Sequence, residues 1–168
     1  MTTAPAPRPP AASTPIVTLR ISARGLYDAW DHCRNLADYI ARFAASDRFD
    51  PEQLTTRLST YLNEVLEFVF RARPAGGDLV LDVARTDAHL VVALALPTDP
   101  ALAERLRRDL ARVTRPDARD AYAADFHTML ASPPVDAGLL ELVALHGVGL
   151  DLRDGDAVTT LVLSLPHE

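Results

Sequence analysis

The sequence predicts an α+β protein: a two-layer α/β sandwich, with a mostly antiparallel sheet and helices on one face. Three observations predict it. Residues 51–73 carry a long helical stripe of apolar side chains. Residues 78–85 alternate, with Leu79, Leu81 and Val83 on one face, and residues 88–96 are a continuous apolar run; joined by Thr86-Asp87, the two read as a hairpin. A second pair of runs flanks Asp154-Gly155, a strong two-residue hairpin signal.

The central element is PEQLTTRLSTYLNEVLEFVFRAR, residues 51–73. At roughly 100° per residue, Leu54, Leu58, Leu62, Val65, Leu66 and Val69 share one face, which Tyr61 and Phe68 widen. A stripe this broad suits a helix buried on more than one side. Asp50 is placed as N-cap and Pro51 at the first helical position, where proline is favoured. Glu64 lies at the rim of the stripe, with Arg57 and Arg71 along the same line. It reads either as an ion-pair edge or as the remnant of a ligand site.

Residues 1–15 are rich in Pro, Ala and Thr without apolar periodicity, and are expected to be a disordered leader before a single domain over 16–168. Ile16 to Ile21 is β-branched and reads as the first strand. Ser22 to Gly25 reads as a turn. Leu26, Trp30, Cys33, Ala37, Ile40 and Ala44 then recur at helical spacing, giving a helix over 26–45 with Trp30 and Cys33 in the core. The run Ala88 to Leu96 is continuously apolar, as a central strand requires. Thr98 or Asp99 caps a third helix with a narrow stripe of Leu102, Leu106, Leu110 and Val113. Its arginines, Arg105, Arg107, Arg108 and Arg112, read as a solvated face because Glu104 and Asp109 interleave them; a phosphate site is the alternative. A short helix is expected over 117–131. Asp136 caps another over 137–146, and Gly147 suits its end. The expected order is β-α-α-β-β-α-α-α-β-β.

At 168 residues the chain is long enough for a real core. Its net charge of −6 argues against a nucleic-acid surface. It contains no lysine, a bias to which no function is attached. Cys33 is the sole cysteine, so no internal disulfide and no cysteine-based zinc site can form. No apolar run approaches the ~20 residues that span a bilayer, and no signal peptide is seen. The expectation is a cytoplasmic protein with no membrane partner.

Several chemistries lack their signatures. No glycine-rich loop leads into Lys and Ser/Thr, so no P-loop is present. Gly147-Val148-Gly149 precedes a strand and is too short for a dinucleotide fingerprint. His32, His89, His127, His146 and His167 include no pair at metal-ligand spacing on one helix. No nucleophile elbow surrounds a serine. Glu64 and Glu67 are three residues apart, with Glu67 expected further into solvent, which disfavours a catalytic dyad.

The layout nevertheless resembles a known family. A helix carrying Asn63-Glu64, two central hairpin strands, a variable middle, Gly138-Leu139-Leu140 opening a helix and a final hairpin are similar to the histidine-kinase-type ATPase fold (the GHKL or Bergerat fold). The likeness spans residues 16 to 165 and is to short stand-alone bacterial regulators related to anti-sigma-factor kinases. In active members the central helix reads Glu-x-x-x-Asn: the Glu polarises the attacking water or hydroxyl, and the Asn helps hold Mg²⁺. Glu64 matches the Glu, but Phe68 stands at the Asn position. A phenyl ring offers no oxygen to a hard cation. The Asp-x-Gly-x-Gly adenine box is replaced by Leu96-Pro97-Thr98-Asp99-Pro100, and the glycine-rich lid survives only as Gly138-Leu139-Leu140.

The resemblance therefore implies a degenerate, Bergerat-like chain. Glu64 is the vestigial catalytic candidate. Asn63, Glu64, Asp99 and Gly138 are the vestigial nucleotide-binding candidates, with Asn63 offset by one residue from the Glu position. No metal ligand and no cofactor is expected. The leading expectation is a non-catalytic regulatory module that binds a signalling protein. The alternatives are a weak ATP- and Mg-dependent Ser/Thr protein kinase of the anti-sigma-factor type, and a homodimeric structural module.

Overall fold

The computed structural model describes residues 13–47, 49–73, 76–131, 137–155 and 157–166, and for 125–131 the backbone alone. Residues 1–12 of the expected leader and the Asp136 cap lie outside the described residues. The elements are β1 (Thr14–Ser22), α1 (Ala23–Tyr27), α2 (Asp31–Ala45), α3 (Pro51–Ala72), β2 (Asp78–Arg85), β3 (His89–Pro97), α4 (Pro100–Val113), α5 (Ala118–Ala131), α6 (Ala137–His146), β4 (Gly149–Asp154) and β5 (Val158–Pro166).

The five strands form one antiparallel sheet in the order β1-β2-β3-β5-β4. β3 is central, as its continuous apolar run requires. Alternation sorts the side chains between the two faces. Leu79, Leu81 and Val83 of β2, Leu90, Val92, Leu94 and Leu96 of β3, and Leu161, Leu163 and Leu165 of β5 share one cluster with the buried residues of α2, α3, α4 and α6. Helices and sheet thus enclose a single main core, the two-layer arrangement. Val91, Ala93 and Val162 form a small separate cluster on the other face. There Asp82 is buried and accepts a short hydrogen bond from the Thr18 hydroxyl across the β1–β2 pair.

α3 is the spine of the helical layer. The Asp50 carboxylate accepts from the Gln53 amide at 3.2 Å, Pro51 occupies its first turn, and Arg73 ends it in the left-handed region at φ 49°. Leu58, Leu62, Leu66 and Val69 are fully buried, as the wheel requires. α2 presents Cys33, Ala37, Ile40, Ala41 and Ala44 to the core, and its small residues let it approach α3 closely. Cys33 donates its thiol hydrogen to the Leu66 carbonyl, 3.7 Å away across that seam.

The structure corrects several expectations in the N-terminal part of the chain. The expected single helix over 26–45 is two helices, α1 and α2, and the Ser22–Gly25 turn is largely absorbed into α1. α1 closes when the Asp28 amide bonds the Arg24 carbonyl; α2 reopens with His32 and Cys33 amides bonded to Ala29 and Trp30 carbonyls. Leu26 and Cys33 stay buried across the break, so the apolar stripe survives while the backbone does not. Trp30, expected in the core, is 40% exposed. It stands at the α1–α2 corner with its ring against the edge of Phe70, centroids 4.9 Å apart. The sheet also begins at Thr14, two residues before the expected Ile16. Among the described residues no helix is long and apolar enough to cross a membrane.

Candidate functional site

Of the residues singled out in the sequence, Glu64 and Gly138 are brought together. Glu64 projects from the edge of α3, and Gly138 lies in the first turn of α6. A Cβ at residue 138 would overlap the Glu64 carboxylate, standing 2.6 Å from Cδ and 3.2 Å from Cγ. Glycine therefore permits this closeness, and α6 packs against α3 with the carboxylate at the junction. The Glu64 carboxyl is half-buried, and burial pushes its pKa up from 4.5. The charges of Glu67 and Glu141 push the same way, while Arg71 opposes them.

Asn63 and Glu67 form a second pair, one helical turn apart. The Asn63 amide donates to Glu67 at 2.7 Å, and Arg71 donates to the other Glu67 oxygen at 3.3 Å. The Arg71 guanidinium also lies 5.2 Å from the Trp30 ring centroid. This ladder bears on two readings. Glu67, expected further into solvent than Glu64, has a side chain that is itself only 16% exposed. Glu64 forms no ion pair with Arg57 or Arg71 among the described residues; Arg71 bonds Glu67 and reaches Glu64 only through its field. The Asn63 side-chain oxygen is buried without a hydrogen-bond partner. The Asn63–Glu67 spacing of four was readable from the sequence. The approach of Glu141 was not, because it depends on how α6 docks.

Phe68 is 3% exposed and belongs to the main core. Four residues turn a helix by about 400°, so Glu64 and Phe68 share a side. The ring nevertheless continues into the core, while the carboxylate stops at the rim. Asp99 lies apart from this group. Its carboxylate accepts from the Leu102 amide at 2.7 Å and caps α4. The neighbouring Thr98 hydroxyl is 2.8 Å from that of the fully buried Thr159 on β5. Two clefts flank Asp99, of about 360 and 530 Å³, and neither is lined by Asn63, Glu64 or Gly138. Among the described residues no three His, Cys, Asp or Glu side chains converge as a metal-binding group.

With this geometry in view, the chain is similar in fold to a solved structure. A chain of the SiaB–SiaC complex from Pseudomonas aeruginosa superposes with a TM-score of 0.51 and 14% sequence identity. The match covers 90% of this chain and 89% of that one. Identity at this level shows the shared fold alone. No protein-family profile and no curated protein matches the sequence.

Proposed function

We propose that the chain is a non-catalytic, ATPase-like regulatory module of the bacterial cytoplasm that binds a signalling protein. The observation that carries this reading is the burial of Phe68 at the position where the resembling kinases place a magnesium-holding Asn. Phosphoryl transfer relies on a metal to neutralise the transferring group. A core phenyl ring supplies no oxygen for that metal. Asp99, at the place of the adenine-binding Asp, has its carboxylate engaged in capping α4. The residues present thus fit magnesium-bound ATP poorly. A chain of similar fold occurs in the two-protein SiaB–SiaC complex, which accords with a role in partner binding.

The deciding experiment is a thermal-shift and hydrolysis assay of the full chain with Mg-ATP. The expected result is no saturable shift and no turnover. A magnesium-dependent shift, with turnover lost in Glu64→Ala, would replace this reading by the weak Ser/Thr kinase. The raised Glu64 pKa is what favours that second reading, because a general base works best when its pKa approaches the working pH. The homodimeric module draws support from Tyr39 and Phe43, which stack on α2 with centroids 6.4 Å apart and stay about half exposed. Light scattering that gives a dimer, with no partner captured from cell extract, would favour it.

A further inference from the structure

We propose that the cleft between the end of α3 and the start of α4 binds a phosphate monoester through Arg73, Arg105 and Arg108. This inference does not rest on the proposed function, and its site is separate from Glu64 and Gly138.

In sequence the arginines of α4 form one undivided group. The structure divides them. Arg107 bonds Glu104 and Asp154, and Arg112 lies 4.0 Å from Asp109. Arg105 and Arg108 turn instead to a cleft of about 530 Å³, where Arg73 joins them from the end of α3. That volume is within the range of small-ligand sites. Asp99 is the single carboxylate in the lining, and its carboxylate is engaged by the Leu102 amide. Three guanidiniums against one engaged carboxylate leave a local surplus of positive charge on a chain of net charge −6.

Each arginine keeps hydrogen-bonding capacity. Arg105 donates through one terminal nitrogen to the Ala72 carbonyl, an orphan group at the end of α3. A guanidinium carries five N–H donors, so most of its fork is uncommitted by that bond. The central carbon of the Arg73 guanidinium lies over the Tyr27 and Phe70 rings, 5.8 and 5.0 Å from their centroids, contacts with π faces that leave N–H donors for an anion. Arg108 is exposed and makes no ion pair or hydrogen bond among the described residues. Capping of α3 accounts for Arg105 but not for the convergence of Arg108 and Arg73. Guanidinium forks match phosphate oxygens with paired, charge-assisted hydrogen bonds. A dianion answers the charge surplus better than a single carboxylate does.

The test follows the arginine Nε–Hε signals of the full ¹⁵N-labelled chain by NMR. Inorganic phosphate, O-phosphoserine and AMP are titrated separately at fixed ionic strength, with chloride as control. Saturable shifts at Arg73, Arg105 and Arg108 with all three probes, and not with chloride, are expected. Arg108→Glu should weaken binding about tenfold or more. Arg119→Glu, which makes the same charge change outside the cleft, should leave it within about twofold. Tighter binding of phosphoserine would identify a phosphorylated protein segment as the source of the group, and tighter binding of AMP a nucleotide. Shifts that do not saturate, match chloride, or survive Arg108→Glu in a folded variant would overturn the proposal.

Discussion

The carboxylate of Glu64 fills the space that a side chain at Gly138 would need. Two elements far apart in sequence, α3 and α6, are fitted to one another at this point. An alanine at 138 would gain helix propensity but would push the carboxylate aside. The two effects oppose, so Gly138→Ala alone should change stability by less than about 1 kcal/mol. In a Glu64→Ala background the obstruction is gone and the same change should stabilise. Urea unfolding of the four proteins should give a coupling energy of at least ~0.5 kcal/mol. Additive effects would show that the contact does not persist in solution.

The buried setting of Glu64 gives a signed pH effect. Its folded pKa is raised above 4.5, so the folded state holds the proton more tightly than the unfolded chain. Stability from this group is then greatest below pH 4.5 and falls as pH rises through the folded pKa. Glu64→Gln removes that titration. The variant should gain on the wild type as pH rises from 4.5, then keep a constant advantage. Denaturant melts across pH 4 to 8 measure the difference; parallel curves would contradict it.

Phe68 should answer to packing and not to metal. Phe68→Asn leaves a cavity and buries an amide in the core. Losses of roughly 3–5 kcal/mol are usual for truncating a buried Phe, and the polar group adds to them. Phe68→Leu should cost much less. Neither variant should acquire magnesium-dependent thermal stabilisation by ATP, although the first restores the residue type of the resembling kinases.

Asp99 should behave as a cap. Asp99→Ala removes the acceptor for the Leu102 amide and should cost ~1 kcal/mol, whereas Asp99→Asn or Asp99→Ser should restore most of it. Urea midpoints for the three variants test this. Equal losses in all three would point to a role for the carboxylate charge itself.

Cys33 should be silent in the folded protein. It is fully buried, and burial pushes its thiol up to about 11, with Glu67 adding to the shift. Little thiolate forms near neutrality. Labelling by a thiol reagent at pH 8 should therefore proceed only as α2 and α3 separate, and should accelerate with urea. Prompt stoichiometric labelling in native buffer would show that this seam is open.

Much of the architecture was readable because its determinants are periodic or local. The α3 stripe, the caps Asp50 and Asp99, the β2–β3 pair and the β4–β5 pair all follow from residues close in sequence. The break at 28–30 was hidden because the apolar stripe runs through it unchanged, from Leu26 to Cys33. Trp30 was misplaced for the same reason: its spacing is that of a core residue, yet it occupies the corner where the helix stops. The site was less legible. The Asn63–Glu67 bond lies within one helix and could be seen in the spacing. The meeting of Glu64 with Gly138, and of Arg73 with Arg105 and Arg108, arises only when separate elements dock.

The strand order has a kinetic corollary. β3 completes its pairing through β5, with Leu96 opposite Thr159 and His89 opposite Pro166, and three helices intervene between the two strands. Closing so long a loop is slow compared with zipping the adjacent hairpins. Until it closes, Leu90 to Leu96 presents seven successive apolar residues along an open sheet edge. Such an edge invites pairing with another molecule. Refolding from denaturant should therefore lose material to aggregates in proportion to concentration, with β5 the last piece to arrive.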